Sequence, residues 1–158
     1  MEWLVADSRP WKCRVAPAAS GFDVAALISR LDAMEESGML PGDARCSAMV
    51  AAGFCRLLSG DFTRSQKVAL EAAYEFWGGA GEVRRLAALH EYARIIDADG
   101  RQGTDRRSAA VNRLIWSSLN SVTGFSGYTG EFLMALGSEA GLNAEQMAEV
   151  LTECIPGL

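Results

Sequence analysis

The sequence predicts an all-α fold: a single-domain bundle of six to seven helices spanning residues 1–158, with residues 1–19 as a short extended or irregular lead-in. Three observations carry this. Twenty-five of the 158 residues are alanine, the strongest helix former, and β-branched runs are few. From about residue 22 onward, apolar side chains recur at spacings of three and four, the period of one helix face. Most periodic stretches open on a capping residue, and several close on glycine or proline. A chain of 158 residues is the size of one domain that can bury a core of its own. With 49% hydrophobic and 22% charged residues, it is neither disordered nor fibrous. No apolar run approaches the roughly 18 residues of a membrane span.

The lead-in contains Trp11, Cys13 and Val15 alternating with Lys12 and Arg14, a period-two pattern bounded by Pro10 and Pro17, so a brief strand is expected there. The first helix is expected from about Phe22 to Ser37, capped by Ser20 or Asp23, with Val24, Leu27, Ile28, Leu31 and Met34 inward. Gly38 and Pro41 stop it. A second runs from Asp43 to Leu58, burying Cys46, Met49, Val50, Gly53, Phe54 and Leu57. Thr63-Arg64-Ser65-Gln66 has the form of a capping box and opens a third helix that ends at Trp77.

The fourth is expected from Glu82 to Asp97 with Val83, Leu86, Leu89, His90, Ala93 and Ile96 inward, followed by a polar loop over Asp99–Gly103. Thr104 or Asp105 caps the fifth, whose stripe includes Val111, Leu114, Ile115 and Leu119. Thr123–Gly130 reads as the most flexible stretch, a sixth helix as Glu131–Gly137, and Asn143-Ala144-Glu145-Gln146 as the start of a seventh.

Charge is distributed unevenly. Residues 1–113 hold fifteen acids and fifteen bases, whereas Glu131, Glu139, Glu145, Glu149 and Glu153 follow with no base. The net charge of −5 therefore sits in the last third of the chain. That balance argues against a nucleic-acid partner, which calls for a basic stripe, and for a basic protein partner. Met1-Glu2-Trp3-Leu4-Val5-Ala6-Asp7 is too short and too acidic for an export signal, so the expected compartment is the cytoplasm. Cys13, Cys46, Cys55 and Cys154 include no Cys-x-x-Cys pair; buried thiols and a disulfide both remain open on spacing alone.

Chemistry-bearing patterns are sparse. His90 is the sole histidine and falls on the inward stripe of the fourth helix, where it reads as a core residue rather than a general base. A helical di-iron site needs Glu-x-x-His, and Ala87 stands where that glutamate belongs. Asp97-Ala98-Asp99-Gly100 opens like a calcium loop, but Arg101, Gln102 and Ser108 occupy the positions that require Asp or Asn, Gly and Glu. Gly78-Gly79-Ala80-Gly81 precedes a helix without a strand before it, so it reads as an interhelical turn. Arg84-Arg85 and Arg106-Arg107 are candidate anion clamps, with acids nearby to neutralise them. Gly124, Gly127 and Gly130, with Phe125 and Tyr128 between them, fit either a binding loop or a plain connection. No catalytic residue, cofactor or metal site is expected.

Arg64-Ser65-Gln66-Lys67 running into Glu71-Ala72-Ala73 and Phe76-Trp77-Gly78, then Leu86-Ala87-Ala88-Leu89-His90, resembles a helical segment of immunity proteins from bacterial secreted-toxin systems. The resemblance covers about 30 of the 158 residues. It implies a non-catalytic cytoplasmic protein that occludes a toxin, and many such toxins carry basic clefts. The contact surface expected for that role is Phe125 and Tyr128 with Glu131, Glu139, Glu145, Glu149 and Glu153. A helical adaptor acting as a homodimer is the alternative, and a small enzyme using His90 or an arginine pair a third.

Overall fold

The computed structural model describes residues 23–120 and 122–158. The strand expected near residues 11–15 lies outside them. Seven α-helices follow in order: α1 Val24–Glu36, α2 Ala44–Leu58, α3 Arg64–Trp77, α4 Glu82–Gln102, α5 Arg106–Leu119, α6 Gly127–Glu139 and α7 Ala144–Cys154, with one 3-10 turn at Ser59–Asp61. There is no strand among the described residues, and the all-α expectation holds.

Local chemistry sets the starts. Asp23, Asp43 and Asp105 each accept a backbone N–H of the first turn through the side chain, at 2.6, 2.8 and 2.9 Å. Such a cap satisfies one of the four amides a helix start leaves without an internal partner. Thr63 with Gln66, and Asn143 with Gln146, form complete capping boxes. Gly79 and Gly81 take positive φ (101° and 74°), so the glycine-rich stretch is the tight turn between α3 and α4 that its sequence predicted.

Helix α2 runs through the middle of the bundle. It packs most extensively on α5 and also touches α3, α6 and α7. Its small residues Ser47, Ala48, Ala51, Ala52 and Gly53 let neighbours approach from several sides, and Phe54 fills the centre. Leu114, Ile115 and Leu119 of α5, Met134 of α6 and Leu151 of α7 complete one continuous core.

Three expectations are corrected. Helix α4 does not end at Asp97; it reaches Gln102 and closes on Gly103 at φ 64°. Asn112 Nδ2 donates to Asp99 Oδ2 at 3.0 Å, and Arg101 pairs with Asp97 one turn back, so the polar run is stabilised as helix. The buried face of α4 is also not the one its apolar residues suggest. Val83 is 81% exposed and Leu86, His90 and Ala93 are exposed too, whereas Arg85 and Tyr92 are buried. Both are long amphipathic side chains whose polar ends find partners, a case in which polarity misleads about burial. The third correction concerns α6, which starts at Gly127 and not at Glu131.

That earlier start explains the glycine spacing. Gly127 N–H donates to Glu35 Oε2 at 2.8 Å, and a Cβ at Gly127 would lie 2.7 Å from Asp32 Oδ1. A Cβ at Gly130 would lie 2.7 Å from Leu31 Cδ1. These glycines let α6 lie tightly against α1; they are packing residues rather than a flexible loop.

Candidate interaction surface

The first turn of α6 decides what the Gly/aromatic stretch can present. Phe125 packs inward, only 4% exposed, with its ring against Gly130. It belongs to the core and is removed from the expected contact surface, because the chain between α5 and α6 turns its ring onto Leu31 and Gly130 before Ser126 caps the helix. Tyr128, three residues on, is 80% exposed. Tyr128, the adjacent pair Glu131 and Phe132, Ala135 and Glu139 succeed one another every three or four residues and are all exposed, so they form the outward face of α6. Phe132 is the residue that sequence reasoning missed. The same spacing was available in the sequence, but with the helix start set too late its orientation could not be read.

On α7, Glu145, Glu149 and Glu153 are exposed at intervals of four, forming an acidic ridge. Glu153 lies 3.5 Å from Arg56, an ion pair with both side chains largely in water; such a pair adds little. The structure thus brings the α7 glutamates into one row and keeps Tyr128, Glu131 and Glu139 together on α6.

Phe132 also borders a groove. With Ala93 and Ile96 of α4 and Arg113, Trp116 and Ser117 of α5, it lines an open cleft of about 320 Å³ whose walls are almost entirely apolar carbon. Arg113 is its one charged group, exposed and without an ion pair to any described residue.

The other candidates do not converge. Arg84 pairs with Glu75, while Arg85 turns inward to stack over Phe76 at 4.3 Å and donates from Nη1 to Leu119 O at 3.0 Å. Beside it, Trp77 Nε1 donates to Ser118 O at 2.9 Å. The two side chains together satisfy carbonyls that the end of α5 leaves open. Arg85 is therefore a helix-ending residue and not half of an anion clamp. Arg107 Nε donates to Ala140 O at 3.2 Å and its Nη2 lies 3.5 Å from Asp61, drawing it away from Arg106 as well.

The described thiols are poorly suited to nucleophilic work. Burial, with Cys154 and Asp43 nearby, pushes Cys46 up to about 12. Burial, partly offset by Arg56, leaves Cys154 raised to about 11, and burial alone raises fully enclosed Cys55 further still. A reactive cysteine requires the opposite shift. Among the described residues no three His, Cys, Asp or Glu side chains gather as a metal site, and no helix is long and apolar enough to cross a membrane.

Comparison of the chain with protein-family models, with curated proteins and with solved structures returns no match.

Proposed function

We propose that this chain is a non-catalytic cytoplasmic binding protein of the immunity type, which neutralises a secreted toxin by covering a basic active-site cleft. The observation that carries the reading is the acidic ridge of α7, Glu145, Glu149 and Glu153, exposed in a chain segment that holds no base after Arg113. A surface of one sign steers a partner of the opposite sign and raises its association rate. Tyr128, with Glu131 and Glu139 on the same face of α6, adds a large, conformationally cheap contact side chain to that charge. Residues 64–90, which resemble immunity proteins, form α3, its glycine turn and the first half of α4.

The test is capture of the partner from host lysate by the tagged chain, beside a variant carrying Glu145→Lys, Glu149→Lys and Glu153→Lys. A stoichiometric basic toxin-like protein retained at low salt, lost at about 1 M salt where screening lengths fall to about 3 Å, and lost in the variant is the expected outcome. Retention of the same partner by the variant at all salt concentrations would overturn the electrostatic mechanism. The exposed Val83 and Leu86 on α4 support a second reading, a self-associating helical adaptor. For that reading, sedimentation would show a mass that rises with concentration and falls on Leu86→Ser.

A further inference from the structure

Helices α4 and α6 both pack on α5, and all three line the open cleft of about 320 Å³. Arg113, Trp116 and Ser117 share one side of α5, at spacings of three and four. Ala93 and Ile96 of α4 and Phe132 of α6 line the cleft with them. The small side chains of Ala93 and Ser117 leave room, and Phe132 stays 41% exposed. A volume of roughly 300 Å³ or more, with carbon walls and a few polar groups, is the usual form of a small-molecule site.

The polar groups select the sign of the occupant. Arg113 brings a fixed positive charge and N–H donors, Trp116 an indole donor and Ser117 a hydroxyl. Among the described residues none of these three side chains has a hydrogen-bond or ion-pair partner. A carboxylate, which accepts and carries the opposite charge, matches this set, and an ammonium does not. Asp97, next to Ile96, is engaged by Arg101 and leaves Arg113 uncompensated. Glu131 is exposed beside Phe132. Together with the carbon walls it disfavours a second negative charge in the occupant.

We infer that the cleft between α4, α5 and α6 binds a hydrophobic monocarboxylate of the medium-chain alkanoate type. The carboxylate meets Arg113 with Ser117 beside it, and the alkyl body lies against Ile96, Trp116 and Phe132. The site uses none of the α7 glutamates, so it stands or falls apart from the toxin-binding reading.

Octanoate is the probe, added to the full ¹⁵N-labelled chain while the indole N–H signals are followed. Those of Trp116 and Trp77 are identified by their loss in Trp116→Phe and Trp77→Phe. Trp77 Nε1 donates to Ser118 O and lies outside the cleft, so it reports the fold. Octanoate is expected to shift Trp116 saturably, with half-saturation on the order of 1 mM or below, and to leave Trp77 in place. Arg113→Gln, at an exposed side chain, should weaken octanoate by about three- to tenfold and leave octanol unaffected. Octylammonium and octanedioate should each bind several-fold more weakly than octanoate. Ala93→Leu, which fills the cleft from an exposed position, should abolish the Trp116 response. Absence of a saturable Trp116 shift at about 10 mM octanoate overturns the inference. So does equal binding of octanoate and octylammonium, or equal affinity in Arg113→Gln, since the charge would then select nothing. Joint movement of Trp116 and Trp77 would mark a detergent effect on the whole fold and overturn it as well. A Trp116 signal that moves with protein concentration alone gives the cleft to a second copy instead.

Discussion

Helices α2 and α4 belong to one bundle and are built on opposite terms. In α2, fifteen residues include an almost unbroken buried run from Cys46 to Cys55. In α4, twenty-one residues bury only Arg85 and Tyr92. Small side chains allow α2 to be enclosed, because a helix of Ala, Ser and Gly admits neighbours on every side. Helix α4 is held along one edge, by a stacked guanidinium, the buried Tyr92 ring, and half-buried Ala88, Leu89 and Ile95. The first arrangement depends on shape, the second on a few polar anchors. Substitutions that test shape in α2 and anchorage in α4 should therefore differ in size and in kind.

The largest effect is expected at Phe54, fully enclosed at the centre of α2. Phe54→Ala should cost about 3–5 kcal/mol by leaving a cavity that a crowded site cannot close, read as a lower midpoint in urea. Next is Gly53, where an added Cβ would fall 2.5 Å from Val150 Cγ1 of α7. Gly53→Ala should destabilise by about 1–3 kcal/mol through overpacking, despite alanine's better helix propensity. Val150→Ala made together with it should cost less than the sum of the two singles, as coupled neighbours do. Strict additivity in the double-mutant cycle would show that α2 and α7 are not in contact here.

Arg85 measures the anchorage of α4. Arg85→Ala should cost about 1–3 kcal/mol, because it removes both the stack on Phe76 and the donor to Leu119 O. Arg85→Lys should recover little, since an ammonium lacks the flat face; full rescue in a thermal melt would reduce the site to simple charge.

Alkali should act on both helices. Burial, with smaller charge effects around it, holds Cys46 at about 12 and Tyr92 at about 12, above ordinary values of 9.0 and 10.0. A group whose folded value is raised contributes its stability fully below the unfolded value and loses it as pH rises toward the folded one. Urea midpoints should then be level up to about pH 9 and fall steadily towards pH 12, with Tyr92→Phe flattening part of the slope. The smallest effect belongs to the outer face of α4. Val83→Ser should change stability by less than about 0.5 kcal/mol, as an exposed site does, and a larger loss would mean that Val83 is covered in solution.

Much of the frame was legible because helix starts are local. Asp43, Thr63-Gln66 and Asn143-Gln146 cap through atoms three residues apart, so short stretches of sequence carry their own signal. The errors cluster where a distant residue decides. Gly127 and Gly130 look like flexible chain until Asp32, Glu35 and Leu31 are placed against them. Phe125 and Phe132 have the same side chain and opposite fates, one closed onto Gly130 and the other bordering the groove.

By itself the sequence determined the all-α class, most of the first residues of the helices among the described residues and the acidic last third, since composition, periodicity, capping and charge all act within a few residues. Tertiary structure alone decided which face of α4 turns inward, where α6 begins, and that Phe132 rather than Phe125 meets solvent. Those outcomes depend on contacts between residues such as Arg85 and Leu119, or Glu35 and Gly127, which lie 34 and 92 positions apart. Burial at such sites is the choice of the most favourable partner among several elements, and no single helix carries that information.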